Sequence, residues 1–178
     1  MTNDKIVIIR RDVHALLVPS GAAVLLHEGT EVVITQSLGN SYTVKVYDNL
    51  ARIDAKDADA IGQKVHDPLA DLPEDASLKD KMWALLYTVY DPEIPVNIVD
   101  LGLIYRCELV EKQGCMHIEV DMTLTAPGCG MGPVIAGDVK EKLLALPTVE
   151  QVDVEIVFDP PWDQSRMSDV AKLELGVF

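Results

Sequence analysis

The stretch Cys115-Met116-His117-Ile118-Glu119-Val120-Asp121-Met122-Thr123-Leu124-Thr125 alternates without a break. Met116, Ile118, Val120, Met122 and Leu124 are apolar, and the residues between them are polar or small. A period of two belongs to a strand with one face in the core and one in water. A helix would repeat at 3.6 residues, and these residues do not. The segment therefore predicts a half-buried strand in an antiparallel hairpin, with cover on one side only.

The flanking sequence supplies the hairpin partner and the cover. Upstream, Leu103–Val110 leads through Glu111-Lys112-Gln113-Gly114 into the strand. Downstream comes the turn Thr125-Ala126-Pro127-Gly128-Cys129-Gly130. Pro133–Leu146 follows, with Ile135, Val139, Leu143 and Leu146 on one helical face, and Pro147 stops it. Val152, Val154, Ile156 and Phe158 then alternate as a third strand, ended by Asp159-Pro160-Pro161-Trp162. Ser168 is placed to cap a last short helix, and Gly176 to close it. Before the hairpin, Ser77 and Asp80 form a capping-box pattern. Leu78, Met82, Leu85, Leu86 and Val89 continue it as a helix up to Asp91-Pro92, where the proline ring disfavours a helical Asp91. The order αββαβ(α) over residues 77–178 predicts a two-layer α+β domain with helices on one face of the sheet.

Residues 1–62 have a different texture. Lys5–Arg10, Ala22–His27, Glu31–Gln36 and Tyr42–Tyr47 are short apolar or alternating runs separated by Gly-bearing turns. They predict a small all-β domain, a barrel or a sandwich. Residues 63–76, with Asp67, Asp71, Glu74, Asp75, Pro68 and Pro73, read as an acidic, proline-bearing linker.

The chain has 178 residues, 48% of them apolar, which suffices for packed cores. Fifteen basic residues face 29 acidic ones, a formal charge of −14. Such a surface repels phosphate, so nucleic acid and anionic lipid are excluded as expected partners. No apolar run is long enough for a membrane span, and Met1–Lys5 carries no secretory pattern. Three widely spaced cysteines form no disulfide framework. The expected compartment is the cytoplasm.

Cys129 is the residue most suited to chemistry. It lies between two glycines, after a wet strand and before a helix. The helix start stabilises a thiolate, and Gly128 and Gly130 allow close approach to the backbone. A buried cysteine acting as a small hydrophobe is the alternative. Asp91-Pro92-Glu93-Ile94-Pro95 sets two carboxylates on a restricted backbone, which suits either metal ligation or a plain Asp-Pro turn. Cys107 shares a strand face with Tyr105 and Leu109, and Cys115 sits at the hairpin turn, so neither makes a CxxC pair with Cys129. His14, His27, His66 and His117 have no metal-ligand spacing.

Several motifs in order resemble a known family: Asp91-Pro92-Glu93-Ile94-Pro95, Val99-Asp100-Leu101-Gly102-Leu103-Ile104-Tyr105, and Met122-Thr123-Leu124-Thr125-Ala126-Pro127-Gly128-Cys129. They are similar to the domain shared by cytosolic iron–sulfur assembly factors, the phenylacetate-oxygenase accessory protein PaaD and some cluster-carrier ATPases. Gly29–Gly39 with Ser41-Tyr42-Thr43-Val44, and the ending Met167–Gly176, resemble the bacterial SufT proteins; Asn40 stands where a second glycine is expected. The resemblance implies a non-enzymatic auxiliary factor in iron–sulfur protein maturation, a carrier of a transiently held cluster or iron, or a targeting factor. Its implied partners are iron–sulfur assembly proteins and apo-targets.

Under that resemblance Cys129, Thr125, Gly128 and Gly130 form the expected cargo-binding turn, and Cys129, Asp91 and Glu93 the expected metal ligands. A cluster usually takes four protein ligands, so one cysteine needs help from oxygens, a partner or a homodimer mate. Two other readings stand beside this one. One is a metal-free adaptor for cluster-assembly machinery. The other is a thiol enzyme with Cys129 as nucleophile, for which His117 is the nearest base in sequence.

Overall fold

The computed structural model describes residues 4–38, 41–91, 94, 96–128 and 130–177. The chain divides into two compact units, the first ending at Asp67 and the second beginning at Pro68. No helix of the described residues is long and apolar enough to cross a membrane.

The first unit is all β. Its strands are β1 (Lys5–Ile8), β2 (Val13–Val18), β3 (Ala23–Leu26), β4 (Glu31–Leu38), β5 (Ser41–Val46) and β6 (Asn49–Ile53). They form one antiparallel sheet in the order β1-β4-β5-β6-β2-β3, rather than the two packed sheets of a sandwich. Val44 opposes Ala51, and both are fully buried with Ile9, Val13, Ala15 and Ile53. A 3-10 helix, Ala55–Ile61, follows, capped by Asp54 and closed by Gly62 at φ 73. It tucks Ala58, Ala60 and Ile61 under the sheet. Much of the local acidity is answered by Arg11, which reaches Asp57 at 2.9 Å and Asp59 at 2.7 Å.

The second unit holds α1 (Leu78–Leu86), β7 (Ile104–Lys112), β8 (Cys115–Met122), α2 (Gly132–Leu144), β9 (Val149–Ile156) and α3 (Asp169–Leu175). The sheet order is β7-β8-β9. β7 pairs antiparallel with β8, and β9 parallel to it, as the α2 crossover requires. The hairpin turn is tighter than the sequence suggests. Only Gln113 and Gly114 lie outside the strands, both at positive φ (53 and 79), the geometry that matches strand twist.

Ile118, Val120 and Met122 of β8 are fully buried against Met82 and Leu86 of α1 and Ile135, Val139 and Leu143 of α2. The opposite face stays wet. There Arg106 reaches Asp121 (2.8 Å), Glu108 (2.9 Å) and Glu119 (3.2 Å), while Lys112 takes Glu119 at 2.9 Å. Leu69, at the start of this unit, also packs on its core.

Two local expectations are corrected. α1 stops at Leu86 rather than at Asp91-Pro92. The Thr88 hydroxyl donates to Leu85 O at 2.6 Å, and from there the chain is extended, with Ile98 N donating to Val89 O and Asp91 N to Val96 O. β-branched Thr88 and Val89 favour that change. β8 ends at Met122, so Thr123 is not on a wet strand face but is fully buried.

Candidate functional site

Sheet topology brings three segments to one end of the second unit. Ile104, the first residue of β7, pairs with Met122, the last of β8. The segment that ends at Leu103 therefore enters where the segment that starts at Thr123 leaves. β9 is parallel to β8 and ends there too, with Val157 N donating to Met122 O at 2.8 Å. Residues 157–168 thus emerge beside the other two. Thr123 N donates to Leu103 O at 2.8 Å, which ties the first two segments directly.

The first segment is the acidic loop. Asp91 is only 4% exposed, and its Oδ1 accepts from Ile94 N at 3.1 Å. Asn97 and Asp100 hold each other reciprocally: Asn97 Nδ2 donates to Asp100 Oδ2 at 2.6 Å, and Asp100 N donates to Asn97 Oδ1 at 2.8 Å. Tyr90 sits at the base of the loop, where burial and the charges of Glu174 and Asp100 push its phenol up. Glu93, expected as a second carboxylate ligand, lies outside the described residues.

The second segment is the turn toward α2. Thr125 is half-buried, and Ala126, Pro127, Gly128 and Gly130 are exposed. Gly128 has φ +80 and open space around the position a Cβ would take. Cys129 lies outside the described residues. Just after it, Met131 precedes α2 without any side-chain cap, and Pro133 falls in the first turn. Leading into the turn, Thr123 Oγ1 is a buried hydroxyl with no hydrogen-bond partner among the described residues. A buried donor left unpaired costs stability, so its presence beside an expected site is informative.

The third segment is a strap that the sequence did not connect with the site. Trp162 Nε1 donates to Leu101 O at 2.7 Å, and Ser168 N donates to Asp100 O at 2.8 Å. Tyr105 Oη donates to Pro160 O at 2.7 Å, and the Arg166 guanidinium lies 4.4 Å from the centroid of the Tyr105 ring. Gly102, at φ +73, leaves room for the Arg166 carbonyl, which a Cβ there would strike. Asp159-Pro160-Pro161-Trp162 is thus a packed corner. The long-range hydrogen bonds that make it a strap carry no periodic signal.

The other thiols are elsewhere. Cys107 opposes Val120 in the sheet, and its Sγ lies 3.4 Å from Met82 Sδ. Burial pushes its thiol up to about 12. Cys115 sits at the opposite end of β8 from Met122, about 23 Å away at ~3.3 Å per residue. A hydrogen bond with Glu150 raises its thiol as well. His117 lies two residues beyond Cys115 on β8, opposite Val110 and Gln151.

Comparison with known proteins follows this geometry. A family model described as "Iron-sulfur cluster assembly protein" matches residues 79–156, within the second unit. The Fe-S protein maturation auxiliary factor YitW of Bacillus subtilis (strain 168) is 43% identical over 101 residues, spanning 57% of this chain and 96% of that protein. The Fe-S protein maturation auxiliary factor SufT of Staphylococcus aureus (strain USA300) is 45% identical over 89 residues, spanning 50% and 98%. A solved structure of the domain of unknown function DUF59 from Bacillus anthracis superposes with a TM-score of 0.50 at 39% identity. It covers 57% of this chain and 93% of that one.

Proposed function

The chain belongs to the iron–sulfur cluster assembly protein family, and on that footing we propose that it is an auxiliary factor in the maturation of iron–sulfur proteins. Its cargo is iron or an iron–sulfur cluster, received and passed on rather than kept. The observation that carries this reading is the convergence of the acidic loop and the cysteine-bearing turn at one end of the β7-β8-β9 sheet.

The donor set suits a transient cargo. Stable clusters usually take four thiolates, and this turn offers one. Cys129 supplies the thiolate, and the uncapped start of α2 favours its ionised form. Gly128 and Gly130 keep the approach open, and Thr125 lines the turn. Asp91 Oδ1 accepts from Ile94 N, which orients this carboxylate within the loop. Glu93 is the second carboxylate of the loop. The unpartnered Thr123 hydroxyl is a spare donor that a sulfide or thiolate could accept. The remaining ligands come from a partner or from a second copy of the chain. Two-fold pairing would double each ligand.

The protein acts without a catalytic reaction of its own, in the cytoplasm, among iron–sulfur assembly proteins and apo-targets. Similar proteins carry names of this kind: three are maturation auxiliary factors, and an iron-sulfur cluster carrier protein of Deinococcus radiodurans is 36% identical over 78 residues. The test is maturation in cells that lack the protein. Wild type restores the activity of an iron–sulfur enzyme, and Cys129→Ser does not. Full restoration by Cys129→Ser would contradict the proposal.

A further inference from the structure

We infer that Arg166 is an anion-binding residue at this end of the sheet, and that the group it receives is the negatively charged cluster cargo. The inference rests on the proposed function above.

The second unit contains two arginines, Arg106 and Arg166. Their surroundings differ sharply. Arg106 is held by Asp121, Glu108 and Glu119 through its Nε and Nη1. No described residue accepts a hydrogen bond from the exposed guanidinium of Arg166. Among the described residues its ring contact is Tyr105, 4.4 Å away, and its charge also acts on Asp163 without a hydrogen bond between them. Stacking occupies the face of a guanidinium and leaves its N–H edge free.

This arginine is also held in place. Its platform is fixed, because Tyr105 Oη donates to Pro160 O at 2.7 Å. Its backbone is fixed too: Arg166 N donates to Asp163 O at 3.1 Å, and its carbonyl lies against Gly102. Asp163, an acid near in sequence, accepts from both Ser165 N and Ser165 Oγ through Oδ1, and it feels the charge of Arg166 without accepting a hydrogen bond from it. A rigid backbone, a stacked side chain and unused donors together make a preorganised anion receptor.

Position and charge identify the anion. Tyr105 is next to Ile104, which pairs with Met122 at the end of β8. The turn carrying Cys129 leaves from that same end. A cluster held by thiolates and carboxylates is anionic, and it must approach a chain of charge −14. Like charges oppose that approach, and a free guanidinium at the site offsets part of the repulsion. Ring stacking on its own would need no free N–H edge and would leave cargo binding untouched.

The experiment is an anaerobic titration with a glutathione-ligated [2Fe–2S] cluster, followed by visible circular dichroism at low and high salt. Wild type, Arg166→Gln and Arg166→Lys are compared, with melting temperatures recorded. Arg166→Gln should bind about tenfold more weakly, the worth of one charge-assisted hydrogen bond, with a flatter salt dependence. Arg166→Lys should keep most of the affinity and the salt dependence. Equal binding by wild type and Arg166→Gln at both salt levels overturns the inference alone. So does an Arg166→Lys variant that binds no better than Arg166→Gln. No binding by wild type overturns the functional proposal and this inference with it.

Discussion

The indole N–H of Trp162 donates to the carbonyl of Leu101 at 2.7 Å, joining the C-terminal strap to the loop that carries Asp91 and Asp100. Leu101 is fully buried, so no water stands ready to replace the donor. Trp162→Phe keeps much of the ring packing and leaves that carbonyl unpaired. It should cost about 1 kcal/mol in urea unfolding. Amide exchange should quicken at Leu101–Leu103 and stay unchanged in β8. Uniform quickening across the sheet would show that the strap holds the whole unit instead of the loop.

Gly102 is a second test of the same contact. Its φ of +73 and the Arg166 carbonyl beside it exclude a Cβ on two counts. Gly102→Ala should lose about 2 kcal/mol or more, from left-handed backbone and overlap together. Thermal melting of the variant checks this. A change within experimental error would mean that the strap moves aside without cost.

Thr123 should behave in the opposite sense. Its hydroxyl is buried and unpartnered, and valine has nearly its shape. Thr123→Val should stabilise the cargo-free protein by about 1 kcal/mol. Destabilisation by a similar amount would reveal an acceptor for the hydroxyl.

Cys107 yields a pH prediction. Burial disfavours its thiolate and pushes the thiol up to about 12. A thiol raised that far is ionised in about one molecule in ten thousand at pH 8. In Cys129→Ser, alkylation of Cys107 by iodoacetamide should therefore be slow at pH 8 and climb steadily up to the onset of alkaline unfolding. A rate that levels off below pH 9 would contradict the packing against Met82.

Much of this fold is legible in the sequence because its signals are local. The strict alternation of Met116 to Met122 appears as β8, with its apolar side in the core. Ser77 and Asp80 form the capping box, with bonds of 3.1 and 3.2 Å. Ser168 caps α3, and Gly176 closes it in the left-handed conformation. Strands β2 and β6 are harder to see. Asn49-Leu50-Ala51-Arg52-Ile53 interleaves polar and apolar residues without clean alternation, and its strand character comes from lying between β5 and β2. Val89 keeps the helical spacing and is buried, yet its carbonyl accepts from Ile98 N, so α1 ends before the spacing does.

At the candidate site, local chemistry was readable and long-range contact was not. The turn around Gly128 and the acidic loop at Asp91 stand out by residue type alone. That both leave one end of the sheet follows from the Ile104–Met122 pairing. The strap from Pro160 to Ser168 depends on bonds between residues some sixty positions apart, such as Trp162 with Leu101. No periodicity encodes those.

The most direct test of the cargo-handling reading is anaerobic reconstitution with ferrous iron and sulfide. Iron and sulfide are counted per chain, and charge-transfer absorbance is recorded, for wild type and Cys129→Ser. Wild type should take up both elements and develop the colour of a thiolate-bound cluster, whereas Cys129→Ser should take up little of either. Equal counts and equal spectra for the two proteins, or a colourless wild type, would contradict it.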